Sequence, residues 1–355
     1  MNRRNFLTYA ALLGGGAATN GCMTLQSIKK YPERKKQTLS RELNADVIIL
    51  GGGMGGFATA LASCRNGLSV IMTEETDWIG GQVSQQGVPP DEHQWIETHG
   101  APQSYREYRN RVRDYYRNNY PLTETARNRV NLNPGDGSVS RICHEPRVAV
   151  SVLTDMLSPF LSSGKLRILL NHKVRSSEVN GDRIMNVEVE NIQTGDWALL
   201  TGDSFVDATE CGDLLPLTGT EYITGTESKH DTKELHAPEK ADPMNNQAFT
   251  ICFAMDYQPG RDNVQDPPKE YDFWRKYVPE MTPPWSGRLL DLSYSDPRTL
   301  EPKKLGFDPS GKNLDGVLNL WNYRRIINRH NFVEGTYDGD VTIVNWPQND
   351  FFRET

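Results

Sequence analysis

The residues with the most chemical content lie between Ala45 and Glu74. Gly51, Gly53 and Gly56 fall on the spacing G-x-G-x-x-G within the run Gly51-Gly52-Gly53-Met54-Gly55-Gly56. An apolar run, Asp46-Val47-Ile48-Ile49-Leu50, precedes the turn, and a small-residue helix with Ala58, Ala60 and Ala62 follows it. A second apolar run, Leu68-Ser69-Val70-Ile71-Met72, then leads into Thr73-Glu74. This order of strand, turn, helix and strand sets a dinucleotide pyrophosphate on a helix N-terminus, where free N–H groups and the helix dipole favour negative charge. Gly51 permits the tight turn, Gly53 lets a phosphate approach the backbone, and Gly56 lets the helix pack on the sheet. Asn66-Gly67 is a C-terminal cap for that helix. Glu74, at the end of the second strand, is placed to accept hydrogen bonds from both ribose hydroxyls. An acid there disfavours a 2′-phosphate, so NADP is not expected.

A second polar constellation is Asp91-Glu92-His93 with Glu97 and His99. His93 is the candidate catalytic residue, a general base or proton relay, because histidine titrates near neutral pH. The competing reading is a histidine whose ring is satisfied by its own loop. On a helix, His93 and Glu97 would share a face, but no third ligand stands at fixed spacing, so no metal site is expected. His144, Glu145 and Arg147 are candidates for the same region. Arg147 is equally suited to pairing with an anionic group and to a salt bridge at a helix start.

The elements that must position these residues follow from pattern. Tyr105, Tyr108, Val112 and Tyr115 recur at helical spacing with Arg106, Arg109, Arg113 and Arg117 between them. This predicts an amphipathic helix with its tyrosine stripe packed inward rather than a nucleic-acid surface. Pro146 opens a second helix carrying Val148, Val152, Leu153, Met156, Leu157 and Leu161. Leu166 to Leu170 reads as a strand, with His172-Lys173-Val174 as its exit. Arg183 to Asn191 and Trp197 to Thr201 alternate as a hairpin or three-stranded meander, and Ser204 to Thr209 reads as a further buried strand. Later, Asn246 to Met255 reads as the first strand of a substrate domain, with Phe249, Ile251 and Phe253 on one core face. Pro267 to Trp285, rich in proline and aromatics, reads as irregular surface, and Val341 to Val344 as a strand.

The sequence of motifs resembles a known family. Gly51 to Gly56, then Ile79-Gly80-Gly81-Gln82, a meander, and Val206-Asp207-Ala208-Thr209 followed by Gly212-Asp213 is the order found in FAD-dependent oxidoreductases. These are glutathione-reductase-like flavoproteins related to the flavin subunit of heterodisulfide reductase. Asp91-Glu92-His93, Asn133-Pro134-Gly135, Cys143 to Arg147 and Asn345 to Asp350 are similar to a xanthan-lyase-like bacterial branch. The resemblance covers about residues 44 to 352 and implies non-covalent FAD. It implies cofactor contacts from Gly51, Gly53, Met54, Gly55, Gly56, Glu74, Gly80, Gly81 and Gln82, with backbone near Val174 beside the adenine and Thr209, Gly212 and Asp213 approaching the cofactor. Glu210-Cys211 departs from a second glycine common after the threonine. The resemblance also implies a late segment closing the flavin site, which nothing after Asp350 supplies. The substrate domain is therefore expected to be incomplete.

The chain has 355 residues and a net charge of −7, with a mean hydropathy of −0.62. These values point to a soluble protein with no general bias toward nucleic acid. Asn2-Arg3-Arg4-Asn5-Phe6-Leu7 matches a twin-arginine export signal, and the apolar run to Ala18 is too short to span a bilayer. Gly21-Cys22 is a candidate lipoprotein cleavage site. The expected location is thus the periplasm, free or anchored to the membrane by a lipid on Cys22. The 5 cysteines are widely spaced with no C-x-x-C pair, which argues against a zinc or iron–sulfur site; a disulfide after export stays open. The expected organisation is a signal over 1–22, a linker over 23–43, a Rossmann-like FAD-binding domain over 44–219 with a helical insertion at about 88–142, and an α+β substrate or cap domain over 220–355. The expected partners are a small-molecule substrate and an electron acceptor, neither readable from the residues. Competing functions are a non-catalytic flavin-binding protein needing a second chain, an NAD-dependent enzyme, and a polysaccharide-degrading protein, the last without any identifiable pair of carboxylates.

Overall fold

In the computed structural model, residues 39–351 are described, apart from 282–284, 286 and 297. The expected export signal and Cys22 lie outside the described residues. The first strand, β1 (Leu39–Leu50), is followed by helix α1 (Met54–Arg65) and strand β2 (Val70–Glu74). Helices α2 (Gln103–Asn119) and α3 (Pro146–Ser162) come next, and then strands β3 (Leu166–Leu170), β4 (His172–Asn180), β5 (Arg183–Asn191) and β6 (Trp197–Asp207). These six strands form one sheet in the order β3-β2-β1-β6-β5-β4. The first four are parallel, while β5 runs antiparallel to both β6 and β4 and makes the meander.

Alternation along β1 decides which face each residue serves. Val47 and Ile49 join the cluster built by α1, α2 and α3, with Phe57, Leu61, Val112, Leu153 and Leu157. Ile48 and Leu50 join the opposite cluster with Val174, Val187, Val189 and Leu200 from the meander. Both faces of the parallel strands are thus covered, as a doubly sided α/β sheet requires.

Several elements differ from the sequence reading. The linker does not extend to residue 43, because β1 begins at Leu39 and pairs from there with Trp197 and its neighbours. His172 to Val174 is the start of β4 rather than an exit from β3; the turn is made at Asn171, which holds a φ of 60°. Trp197 to Thr201 and Ser204 onward are one continuous strand. Gly202 is not a break but a close approach, since a Cβ there would lie 2.8 Å from the Ala45 carbonyl oxygen.

Helix α2 buries more than tyrosine. Tyr108, Val112 and Tyr116 are fully buried, Tyr105 and Tyr115 pack partly buried against the same core, and Arg109 and Arg113 are buried beside them. The arginines are balanced by acids from the preceding loop. Arg109 pairs with Glu92 at 2.5 Å, Arg113 pairs with Glu97 at 2.6 Å, and Arg109 also pairs with Glu97. Glu92 further accepts hydrogen bonds from the Tyr105 hydroxyl at 2.6 Å and the Ser140 hydroxyl at 2.9 Å. Burial pushes the Glu97 carboxyl up, and Arg113 and Arg109 together overcome it, holding it below the usual carboxylate range. Once paired and hydrogen-bonded in this way, such charges make the loop difficult to displace.

Downstream, β7 (Phe253–Tyr257), β8 (Arg325–Ile327) and β9 (Asp340–Val344) form a small antiparallel sheet in the order β8-β9-β7. Ile326, Ile327, Phe332 and Ile343 reach back into the helix-side core. Arg325 and Asp340 make a buried ion pair at 3.0 Å. The expected core face of Phe249, Ile251 and Phe253 is instead open, at 51%, 57% and 49% exposure, because the short pairing of Phe249–Thr250 with Asp350–Phe351 places no layer over it. Among the described residues no helix is long and apolar enough to cross a membrane.

Candidate functional site

The site grows from the end of β1. Gly51 has a φ of 100°, and a Cβ there would lie 2.2 Å from the Ala208 carbonyl oxygen. A Cβ on Gly56 would lie 2.0 Å from the Gly51 carbonyl oxygen. Internal packing therefore demands both glycines. Gly53 and Gly55 are different. A Cβ on Gly53 would meet nothing nearer than a Glu210 carboxylate oxygen at 3.4 Å, and a Cβ on Gly55 would meet nothing within 4 Å. Helix α1 starts at Met54 with Gly53 as its N-cap, with no side-chain cap and no acid in its first turn. Its leading N–H groups and positive dipole end lie beside a cavity, open at Gly55 and approached by the Glu210 carboxylate at Gly53.

A second glycine pair is clipped alongside. The Gly80 N–H donates to the Gly52 carbonyl at 2.8 Å, and Gly81 sits where an added Cβ would be 3.1 Å from the Gly53 Cα. Gly80 has a φ of 112° and backs onto Leu153 and Ser84, so it too tolerates no side chain.

Two cavities flank this double turn. The smaller is lined by Gly51, Gly53, Glu74, Val174, Thr209 and Asp213, with Glu210 at its junction to the larger. Glu74 is only 6% exposed. One of its oxygens accepts from the Gly52 N–H at 2.9 Å, and the other accepts from the Thr76 N–H at 2.9 Å and the Thr76 hydroxyl at 2.8 Å. These bonds hold the carboxylate against the turn as a fixed acceptor. Asp207 shapes the opposite wall by accepting from the Thr209 N–H at 3.0 Å, its hydroxyl at 2.7 Å and the Leu214 N–H at 2.9 Å. The Asp213 N–H in turn donates to the Thr209 hydroxyl at 2.8 Å, and Gly212 makes the bend with a φ of 64°. Lys173 spans Glu75 and Asp213, the latter at 3.2 Å.

The larger cavity, about 630 Å³, is lined by Gly53, Met54, Gly55, Gln82, Thr209 and Glu210 on the turn side and by Asp91, Tyr105 and Tyr108 on the helix side. A further cavity of about 350 Å³, lined by Trp78, Glu145, Arg147, Cys252 and Ile343, shares Gln86 with it.

Most residues expected at a cofactor site thus come together: Gly51, Gly53, Met54, Gly55, Glu74, Gln82, Val174, Thr209 and Asp213 line the two cavities beside the turn, while Gly56, Gly80, Gly81 and Gly212 set the backbone around them. His93 does not join them. Its Nδ1 accepts the Trp95 N–H at 3.2 Å, which leaves Nε2 to face the Gly100 carbonyl at 3.4 Å, and it lines neither cavity. Of the same run, Asp91 reaches the larger cavity, while Glu92 and Glu97 serve the arginines of α2. No metal-holding group of three His, Cys, Asp or Glu residues occurs among the described residues. The described cysteines, Cys64, Cys143, Cys211 and Cys252, are unpaired.

Burial holds the His144 imidazole down at about 4, against the weaker upward pull of the Glu145 carbonyl bonded to its Nδ1. A carbonyl only accepts, so Nδ1 carries the proton, and Nε2 accepts the Tyr108 hydroxyl at 2.9 Å. Tyr108 is thereby fixed as a wall of the larger cavity. Asp207 and Tyr108 were not singled out by the sequence as site residues. An Asp-x-Thr turn signal was present at Asp207.

The model of the FAD dependent oxidoreductase family matches residues 46–355. The chain belongs to this family, and its cofactor is FAD. The cavity beside Gly53 and Gly55, the uncapped α1 and the buried acid Glu74 fit that dinucleotide. A search among curated proteins finds no match. Among solved structures, the chain is similar to Mycobacterium smegmatis Sdh1 at 10% identity and a TM-score of 0.32, covering 48% of this chain and 34% of that one. It is similar to L-proline dehydrogenase from P. horikoshii at 15% identity and a TM-score of 0.27, covering 50% and 25%. It is also similar to 3-ketosteroid-delta4-(5alpha)-dehydrogenase from Rhodococcus jostii at 14% identity and a TM-score of 0.27, covering 48% and 46%. The chain thus spans a quarter to a half of the length of these structures.

Proposed function

We propose that the protein is an oxidoreductase that holds FAD non-covalently across the glycine turn and acts on a small molecule admitted to the 630 Å³ cavity. The observation that carries this reading is the contrast within the motif: Gly51 and Gly56 are required by the protein's own packing, whereas a Cβ on Gly53 would meet only a Glu210 carboxylate oxygen and the Gly81 Cα, and one on Gly55 nothing, at a helix N-terminus that lines a cavity. When bound, FAD supplies the site that takes up a hydride or an electron pair. The chain's own part is to bind and orient. The α1 N-terminus faces the diphosphate, and Glu74 offers a fixed carboxylate to the ribose. Tyr108, held through its hydroxyl on His144 Nε2, gives the cavity a rigid aromatic wall. The clip from Gly80 to Gly52 favours FAD over NAD, because it builds a second turn beside the first that a nicotinamide dinucleotide does not need. The narrower placement beside the heterodisulfide-reductase flavin subunit rests on the order of motifs from Gly51 to Asp213, export rests on the run around Arg3 and Arg4, and membrane attachment rests on Cys22.

The test is to purify the chain from a flavin-sufficient host, record its absorbance before and after denaturation, and reduce the bound flavin with dithionite and readmit oxygen. Stoichiometric FAD that cycles between states supports the reading. Bound FAD that cannot be reduced favours a non-catalytic flavin-binding role, and a folded protein that takes up NAD but no FAD overturns the reading.

A further inference from the structure

The network of α2 accounts for Arg109 and Arg113, and Asp340 accounts for Arg325, but Arg324 is not accounted for. It is 8% exposed, yet its Nε and Nη1 atoms are buried with no hydrogen-bond partner. Its charge partner is Asp91, whose side chain is 57% exposed. The grip is poor. Nη1 lies 3.1 Å from one Asp91 oxygen without hydrogen-bonding alignment, and Nη2 lies 3.5 Å from the other. A well-formed fork between guanidinium and carboxylate has two parallel bonds near about 2.8 Å. A buried guanidinium that leaves donors unused is costly unless a better partner arrives.

The position of Arg324 says where such a partner would come from. Asp91 lines the larger cavity, and Cys252, whose thiol feels the Arg324 charge, lines the 350 Å³ cavity. The two cavities meet at Gln86. Ile326, in the strand that begins directly after Arg324, also lines the smaller of them. The Tyr323 ring, 5.0 Å from the guanidinium carbon, supports the flat group from one side.

We propose that Arg324 is the recognition residue for a substrate carboxylate, and that Asp91 is a resident counter-ion which the substrate's own carboxylate displaces. This rests on the oxidoreductase reading only in placing a substrate in the cavity. The substrate class is therefore a carboxylic acid, bound by a planar two-point contact at the seam between the cavities.

The experiment is a titration of the full chain with acetate and succinate, each against its neutral amide, acetamide and succinamide, at constant ionic strength. The readout is the protein's thermal midpoint and tryptophan fluorescence, with FAD content measured separately on each sample. In the wild type the acids should bind and the amides should not. Asp91→Asn, which removes the competing charge, should tighten succinate by roughly tenfold or more. Arg324→Gln should weaken it by roughly a hundredfold, and Arg324→Lys, which keeps the charge and loses the fork, should fall between. Equal response of the wild type to acid and amide overturns the proposal, as does weaker succinate binding by Asp91→Asn. The first readout does not need bound flavin, so the carboxylate site and the cofactor reading fail independently. If Arg324→Gln does not fold, the gain in Asp91→Asn decides alone.

Discussion

The portion from Leu39 to Thr218 and the portion after it use the same chain very differently. In the first, one six-stranded sheet carries helices on one face and meander residues on the other, and each strand interior is drawn into a large cluster. In the second, strands run two to five residues, the separate core is Leu305, Leu320, Val344 and Trp346, and large apolar side chains such as Phe249 and Ile251 stay open. The first portion builds a rigid turn beside the cavities, and the second adds Cys252 to the edge of one cavity and sets Arg324 against Asp91, which lines another. The larger clusters and the glycine turn therefore lie in the first, and the proposed carboxylate recognition draws on the second.

That contrast can be broken at its strongest point. Removing Glu92 leaves Arg109 buried beside one remaining acid, so Glu92→Ala should lose about 3–5 kcal/mol in chemical denaturation. Gly51→Ala, forced to a positive φ and onto the Ala208 carbonyl, should cost at least about 3 kcal/mol. If either variant unfolded with the wild-type midpoint, the first portion would not be the stabilising one.

His144 sharpens the comparison through pH. Its folded value of about 4 lies below the ordinary histidine value near 6.5, so between these the unfolded chain binds more protons. The stability it contributes is fully present above about 6.5 and is lost as pH falls toward 4, amounting to about 3 kcal/mol. In His144→Gln the slope of stability against pH over that window should flatten. An unchanged slope would remove His144 from the account.

The smallest effect is expected downstream. Phe249→Ser and Ile251→Ser should alter stability by no more than about 0.5 kcal/mol, because both side chains are already half in solvent. A loss of several kcal/mol on thermal melting would mean that the open face is covered in solution.

Legibility followed the range over which each feature is encoded. The glycine turn, Glu74 and both long helices were readable because their signals sit within a few residues of one another. The tyrosine stripe of α2 packs inward as read, but the burial of Arg109 and Arg113 was not legible, because the acids that draw them inward lie 17 and 16 residues upstream. The tie between Asp91 and Arg324 spans 233 residues, and no local pattern carries it. Trp197 to Thr201 and Ser204 to Thr209 were read as separate strands, whereas the missing Cβ of Gly202 admits the neighbouring strand and the two run on as one. The core expectation for Phe249 to Phe253 failed because alternation predicts a face and not what covers it.

The most direct test is FAD content per chain in the wild type and in Gly53→Ala, read from absorbance after denaturation, with the thermal midpoint of each recorded alongside. Gly53 has an ordinary φ of −61°, so alanine should fold normally. The account predicts about one FAD per wild-type chain and a midpoint within a few degrees in the variant, with most of the flavin lost. A Gly53→Ala protein that keeps its full FAD, or a folded wild type that takes up none, would contradict it.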